Sequence, residues 1–263
     1  MSRETLEKTF AVVVRPDEAS EAVASSVRNV LLGSGYSEDG DHPETAIVVG
    51  GDGTFIYAVH RYMHCLNDVR FIGIHTGTLG FYTDYLDSEV DEFLSDFLKG
   101  DLPVETYPVM EAKADGETVY AINEIRIENP YRTQNFDVLL NDIPLEFFRG
   151  TGLCVCTQLG STAYNRSLGG AILEKGLPLF ELTEIAGLHH VHAHSLNAPF
   201  VMSDDTVIRL QSDSFERALL GFDADVFELG KEKEVLIRKS PEKKLHVLRG
   251  RKISYFDRLA RLT

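Results

Sequence analysis

Cysteine is scarce: Cys65, Cys154 and Cys156 are the only three in 263 residues. Three thiols cannot make a disulfide framework. The alternating run Leu153 to Thr157 puts Cys154 and Cys156 on one face of a strand, so they read as reduced, structural residues. Positive charge is also short, with 26 Lys and Arg against 41 Asp and Glu, a net charge of −15. Nucleic acids and anionic membranes need a basic footprint, so neither is expected as a partner. No apolar run approaches the roughly 20 residues of a membrane-spanning helix, and Met1 to Phe10 is charged where a secretory leader has its apolar core. The expected location is therefore the cytoplasm. No fixed-period repeat and no low-complexity tract occurs. Two nucleotide signatures are missing as well. The absence of Gly-Lys-Ser/Thr excludes P-loop chemistry, and Ile56 stands where the third glycine after Gly51 and Gly53 would complete a Rossmann fingerprint.

What is present is a change of texture near residue 100. Before it, Thr9 to Val14, Thr45 to Val49 and Arg70 to Ile74 read as strands, and Glu18 to Leu32, Phe55 to Leu66 and Ser88 to Lys99 as helices, the last capped by Ser88 and ended by Gly100. That alternation predicts an α/β domain with a parallel sheet over 1–100. Beyond it come β-rich runs divided by turn signals. Asp115-Gly116 separates Val109 to Ala114 from Thr118 to Ile127, and Asn141-Asp142 separates Phe136 to Leu140 from Pro144 to Phe148. Further strands are expected at Thr206 to Gln211, Ala218 to Phe222, Lys233 to Arg238 and Lys244 to Leu248. A mostly antiparallel, β-sandwich-like domain over 101–250 follows. A tail over 251–263, with a short helix within Ser254 to Leu262, is expected to pack back on the first domain.

Gly50-Gly51-Asp52-Gly53-Thr54 lies where a buried strand gives way to a helix, the edge at which open α/β sheets place ligands. Glycines let backbone N–H groups approach phosphate oxygens, and the helix N-terminus favours negative charge. A carboxylate inside such a cradle is electrostatically awkward unless it serves a magnesium ion, takes a proton from an attacking hydroxyl, or does both. The plainer alternative is a turn in which Asp52 caps the helix. The run His189-His190-Val191-His192-Ala193-His194 lacks an acidic or cysteine partner and reads as a polar loop or edge strand. No side-chain metal site is assigned, Asp52 approaching Mg²⁺ only through bound phosphates.

Gly51-Asp52-Gly53-Thr54 resembles the signature shared by NAD kinases, diacylglycerol and sphingosine kinases and, more distantly, phosphofructokinases. Two further motifs, Asn123-Glu124 and Gly160-Ser161-Thr162-Ala163-Tyr164-Asn165 with Ser167 and Gly169-Gly170 after it, resemble the NAD kinase pattern in order and spacing. With His75-Thr76-Gly77 and Gly80-Phe81-Tyr82, the resemblance covers nearly the whole chain. It implies Mg²⁺-dependent (or other divalent-cation-dependent) transfer of a phosphoryl group from ATP or polyphosphate to the adenosine-ribose 2′-hydroxyl of NAD. The site is expected in the cleft between the two domains of a homodimer or homotetramer.

Asp52 is then the expected base, between Gly51 and Gly53. Asn123 and Thr162 offer the donors and acceptors that adenine needs, and Glu124 can accept the hydroxyls of the nicotinamide ribose. The resemblance further implies that Phe81 and Tyr82 flank the adenosine half, that Tyr164 lies near the 2′ position, and that Ser167 and Ala186 line the nicotinamide end. Ala163, Thr151 and Asp223 complete the expected NAD-binding set, and Arg149 is expected to reach a neighbouring subunit's 2′-phosphate. The chain departs from the family pattern at Thr151, where relatives usually carry aspartate, at Gln158-Leu159, and at Asp223-Ala224-Asp225. A diacylglycerol-type lipid kinase and a non-catalytic sensor of NAD or NADP are the alternative readings.

Overall fold

The computed structural model describes residues 8–77, 80–188, 195–230, 233–250 and 253–260. The histidine run 189–194 and the end of the tail lie outside these. The chain divides into one unit up to Tyr107 and again from Lys244, and a second from Pro108 to Lys243. The sequence reading put the divisions at 100/101 and 250/251. Single strands, Val104–Ala114 and Glu234–Leu248, run across the two observed divisions.

In the first unit, β1 (Thr9–Val14), β2 (Ser37–Glu38), β3 (Thr45–Val49) and β4 (Arg70–His75) form a parallel sheet in the order β2-β1-β3-β4. β3 is buried at all five positions, as a strand covered on both faces must be. α1 (Glu18–Gly33) starts where the Asp17 carboxylate accepts the Ser20 N–H at 3.0 Å, and it buries Ala24, Val27 and Leu31 at helical spacing. α2 (Asp52–Arg61) follows β3 directly. It begins three residues before the expected helix and stops sooner, a separate 3₁₀ segment covering Met63–Asp68. The short β5 (Tyr85–Leu86) precedes α3 (Val90–Lys99). Ser88 does not cap α3, because Asp87–Glu89 forms its own turn, closed by the Glu89 carboxylate on the Leu86 N–H at 2.9 Å. Phe93 and Phe97 of α3 pack with Ile47, Ile72 and Tyr85 in the core. Because β1, β3 and β4 pair in step, Val14 opposite Val49 and Val49 opposite Ile74, the loops beginning at Arg15, Gly50 and Thr76 share the carboxyl edge of the sheet.

The second unit is antiparallel. β6 (Val104–Ala114) and β7 (Glu117–Ala121) form a hairpin whose turn residues Asp115 and Gly116 both take positive φ, 52° and 78°. After β8 (Glu124–Glu128), Asn141 and Asp142 turn β9 (Gln134–Leu140) into β10 (Ile143–Gly150) in the same way. The expected strand Thr118 to Ile127 is thus two strands. Three strands of this unit escaped the sequence reading: β12 (Leu179–Ile185), β13 (Phe200–Ser203) and β16 (Asp225–Glu228). With β11 (Gly152–Thr157), β14 (Ile208–Gln211), β15 (Leu219–Phe222) and β17 (Glu234–Leu248), two sheets result. One runs β13-β12-β11-β8-β15-β16 and the other includes β10-β9-β14-β17. Ile125, Ile127, Val155 and Leu182 of the first meet Phe136, Phe148, Leu210 and Ile237 of the second in one apolar core, which makes a β-sandwich. The last two expected strands are one 15-residue strand, β17, whose end at His246–Val247 pairs in parallel with β4.

Candidate active site

At the carboxyl edge of the first sheet, Asp52 occupies the first turn of α2 after Gly51, with no side-chain cap on that helix. The Asp52 side chain therefore does not act as the cap that the plainer reading gave it. Its carboxylate reaches sideways instead, accepting the Phe81 N–H at 2.9 Å and the Tyr82 N–H at 3.1 Å. Gly80 permits this approach, since a Cβ there would collide with the carboxylate. Each oxygen keeps a lone pair for a proton or a hydroxyl. The first-turn amides of α2 have no acceptor within the helix, which leaves them able to donate to an anion. His75 lies against Gly51, and burial holds its pKa below the usual 6.5 against the opposing pull of Asp52.

The loop that Asp52 holds is anchored from behind. Arg258, in α5 (Tyr255–Leu259), donates to the carbonyls of Gly80 and Thr83, both at 2.6 Å, and pairs with buried Asp84. Arg249 bonds Asp84 at 3.0 Å. The tail thus fixes the segment that positions the acid. Phe81 is half-buried beside the Tyr255 ring, while the Tyr82 ring is only 4% exposed and stacks on Phe55 at 4.9 Å. Of these two aromatics, expected to flank adenosine, Tyr82 is a core side chain and offers its backbone.

The second unit builds a separate polar cluster. β7 and β8 are broken at Ile122-Asn123 because the buried Asp223 carboxylate accepts three consecutive backbone N–H groups, Ile122 at 2.9 Å, Asn123 at 2.7 Å and Glu124 at 3.2 Å. Asp223 takes a left-handed φ of 51° to do so. Its carboxylate shapes the bend, whereas the sequence reading placed it only among ligand contacts. Gly160 sits against the Asn123 carbonyl with no room for a Cβ, and the Thr157 N–H donates to that same carbonyl at 2.8 Å. The Gly160–Thr162 turn and the short helix α4 (Tyr164–Ser167) are thereby locked beside Asn123 and Glu124. Asn165 is buried, donating to Glu181 at 2.8 Å and accepting from Thr183 at 2.7 Å, so it is the peg of this loop.

Glu124 is 4% exposed. Burial, with Asp223 close by, pushes its carboxyl up to about 7 despite the nearby Arg126 guanidinium. Arg126 donates to one Glu124 oxygen at 3.2 Å, while the other, Oε2, is buried with no hydrogen-bond partner among the described residues. An acceptor left bare inside a protein is costly, and ligand hydroxyls would satisfy it. Arg126 also pairs with Glu128 and lies 4.9 Å over the Tyr164 ring. Arg126 was missed from the sequence, although the alternation Glu124-Ile125-Arg126-Ile127-Glu128 puts all three charges on one strand face.

Thr162, Ala163, Tyr164 and Ser167 stand on the Gly160 to Ser167 segment, with Ala163 and Ser167 exposed. Arg149, Thr151 and Ala186 meet at the opposite end of β11. There the Thr151 N–H donates to Ile185 at 3.0 Å, the Arg149 carbonyl accepts from Leu188 at 2.7 Å, and Ala186 takes a left-handed φ of 47°. Glu124 pairs with Cys156 and Ile185 with Gly152, so the two groups are four residues apart along β11, about 13 Å at strand rise. Cys154 and Cys156 are fully buried, and burial raises both thiols.

An acid set in a glycine turn at a parallel sheet's carboxyl edge, in a chain whose sandwich holds a desolvated carboxylate, fits a nucleotide-dependent phosphotransferase outside the P-loop class. Comparison with known proteins makes this specific. Residues 33–102 match the ATP-NAD kinase N-terminal domain and residues 122–249 the ATP-NAD kinase C-terminal domain. NAD kinase of Latilactobacillus sakei is 38% identical over 248 residues, 92% of each chain, and that of Lactobacillus acidophilus 42% over 207 residues, 76% of this chain and 78% of the other. The fold is similar to that of yeast NADH kinase complexed with NADH (TM-score 0.84, 16% identity, 98% of this chain and 88% of that one). It is also similar to an Archaeoglobus fulgidus NAD kinase in complex with ATP (TM-score 0.75, 23% identity, 93% and 94%). The chain belongs to the NAD kinase family.

Proposed function

We propose that this enzyme transfers the γ-phosphoryl group of ATP to the 2′-hydroxyl on the adenosine ribose of NAD, giving NADP. The observation that carries the reading is Asp52, a carboxylate held by two backbone N–H groups beside a bare helix N-terminus. Attack by a ribose hydroxyl needs a fixed acceptor for its proton and donors for the phosphates. Asp52 takes the proton, and the first-turn amides of α2 hold phosphate oxygens. In the second unit Asn123 and Thr162 face adenine, Tyr164 lies near the reacting ribose, and Glu124 accepts the hydroxyls of the other ribose through its unpartnered oxygen. Ser167, Thr151 and Ala186 line the nicotinamide end.

A divalent cation, Mg²⁺, neutralises the phosphates when bound. Asp52 is the acidic group on the glycine turn, which suits oxygen ligation of that hard ion. Exposed Arg149 extends to the 2′-phosphate on a neighbouring subunit of a homodimer or homotetramer. We place the enzyme in the cytoplasm, where NAD and ATP are available. Polyphosphate is the second donor to be tried.

The test is NADP formation from NAD and Mg²⁺ with ATP or polyphosphate, read through an NADP-specific dehydrogenase. Asp52→Asn is expected to lower kcat by about 10²- to 10⁴-fold, the usual worth of a general base, with NAD affinity kept within a few-fold. Turnover surviving in that variant would remove Asp52 from the chemistry. NAD binding with no NADP from the native chain would establish a sensor.

A further inference from the structure

The first unit carries a second constellation, at the far end of the elements that carry Asp52. The ligand atoms of His42, His64 and Cys65 all lie within 4.8 Å of one another. We propose that these three side chains form a binding site for a thiophilic divalent cation, Zn²⁺, with a water as fourth ligand, which clips the loop entering β3 to the segment leaving α2.

The set is right for such an ion. Two imidazoles and a thiolate suit a borderline-soft cation and do not suit Mg²⁺, which takes oxygen ligands. In a tetrahedral Zn²⁺ site, bond lengths of about 2.0 to 2.3 Å put ligand atoms roughly 3.3 to 3.7 Å apart. Closing from the observed spacing takes about an ångström of side-chain rotation. His42 and His64 are exposed and Cys65 half-buried, so the movement disturbs no core. The imidazoles already meet edge to face, with centroids 5.2 Å apart.

The backbone holding these side chains is fixed. The Asp39 carboxylate accepts the N–H of Asp41 at 2.9 Å and of His42 at 3.0 Å, and Pro43 restricts His42 to extended conformations. Arg61 and Tyr62 both donate to the Gly40 carbonyl at 3.2 Å, and the Cys65 thiol points at the Asp41 carbonyl at 3.7 Å. Consecutive helical residues point in different directions, so His64 and Cys65 would ordinarily not converge. Cys65 departs from helical geometry inside the Met63–Asp68 segment, at φ −122° and ψ 26°, and its sulfur lies within 4.8 Å of a ring nitrogen of each histidine. Coordination releases the thiol proton and uses the neutral imidazoles. The site lies about 15 Å from Asp52, the length of the ten-residue helix α2, so it is not the catalytic cation's.

The test adds Co²⁺, as a coloured stand-in for Zn²⁺, to the full chain under a non-thiol reductant. A sulfur-to-cobalt charge-transfer band is expected, displaced by Zn²⁺ and not by excess Mg²⁺. Cobalt held by the histidine run 189–194 gives no such band. Cys65→Ser should abolish the band, and His42→Ala and His64→Ala should each weaken cobalt binding at least tenfold. Zn²⁺ should raise Tm by several degrees in the native chain and not in Cys65→Ser. A band that survives Cys65→Ser, cobalt affinity unchanged in both histidine variants, or a Tm that Zn²⁺ leaves unmoved would overturn the proposal.

Discussion

Glu124 shows how burial turns a common residue into a specific one. An Asn-Glu pair on a strand end is ordinarily solvated, yet here the carboxyl titrates at about 7 because it is desolvated beside Asp223. Ionised, it is the better acceptor for ribose hydroxyls. NAD should therefore bind about tenfold more weakly at pH 6 than at pH 8, following the ionised fraction, with the dependence flattened in Glu124→Gln. Calorimetric titration at the two pH values checks this, and an equally steep profile in the variant would assign the proton elsewhere. The stability effect has the opposite sense. A folded pKa raised from 4.5 to about 7 gives a contribution present below pH 4.5 and lost as pH rises through 7. Glu124→Gln should gain stability over the native chain between pH 5 and pH 8, by on the order of 2 kcal/mol, seen as a Tm difference that widens with pH.

At the scale of elements, the two functional segments are each held by a carboxylate that binds backbone. Asp52 holds Phe81 and Tyr82, and Asp223 holds Ile122 to Glu124. Asp223→Asn leaves an amide nitrogen facing backbone donors, so it should cost about 2 to 3 kcal/mol in denaturant unfolding. It should also raise the Kd for NAD more than it lowers kcat, because in the proposed mechanism the bend carries binding groups and not the base. The reverse split would place Asp223 in the chemistry. Gly80→Ala pushes a methyl group into the Asp52 carboxylate, and kcat is expected to fall with NAD affinity little changed. The parallel strands, the glycine loop and both hairpin turns were legible in the sequence, because periodicity and positive-φ turn residues are local signals. The division of Thr118 to Ile127 was not, since its cause lies about a hundred residues away at Asp223.

For the whole molecule, a net charge of −15 opposes the approach of anionic nucleotides. Local donors and a cation have to overcome that field, so screening should help. The KM for ATP, at saturating Mg²⁺, should fall as salt rises from about 20 to 150 mM, where the Debye length shortens to about 8 Å. A KM that climbs steadily over that range would mean that local positive charge dominates capture.

The sequence by itself determined the fold class and the family, because an order of three motifs survives without knowledge of contacts. The tertiary structure decided how those residues are held. It made Asp52 a clasp on Phe81 and Tyr82, buried the Tyr82 ring that was expected to face a ligand, and made Asp223 the organiser of the Asn123-Glu124 bend. It also brought in Arg126, Arg249 and Arg258, which no motif marks. These are partnerships between residues far apart in the chain, and only packing fixes which distant donor a buried carboxylate will meet.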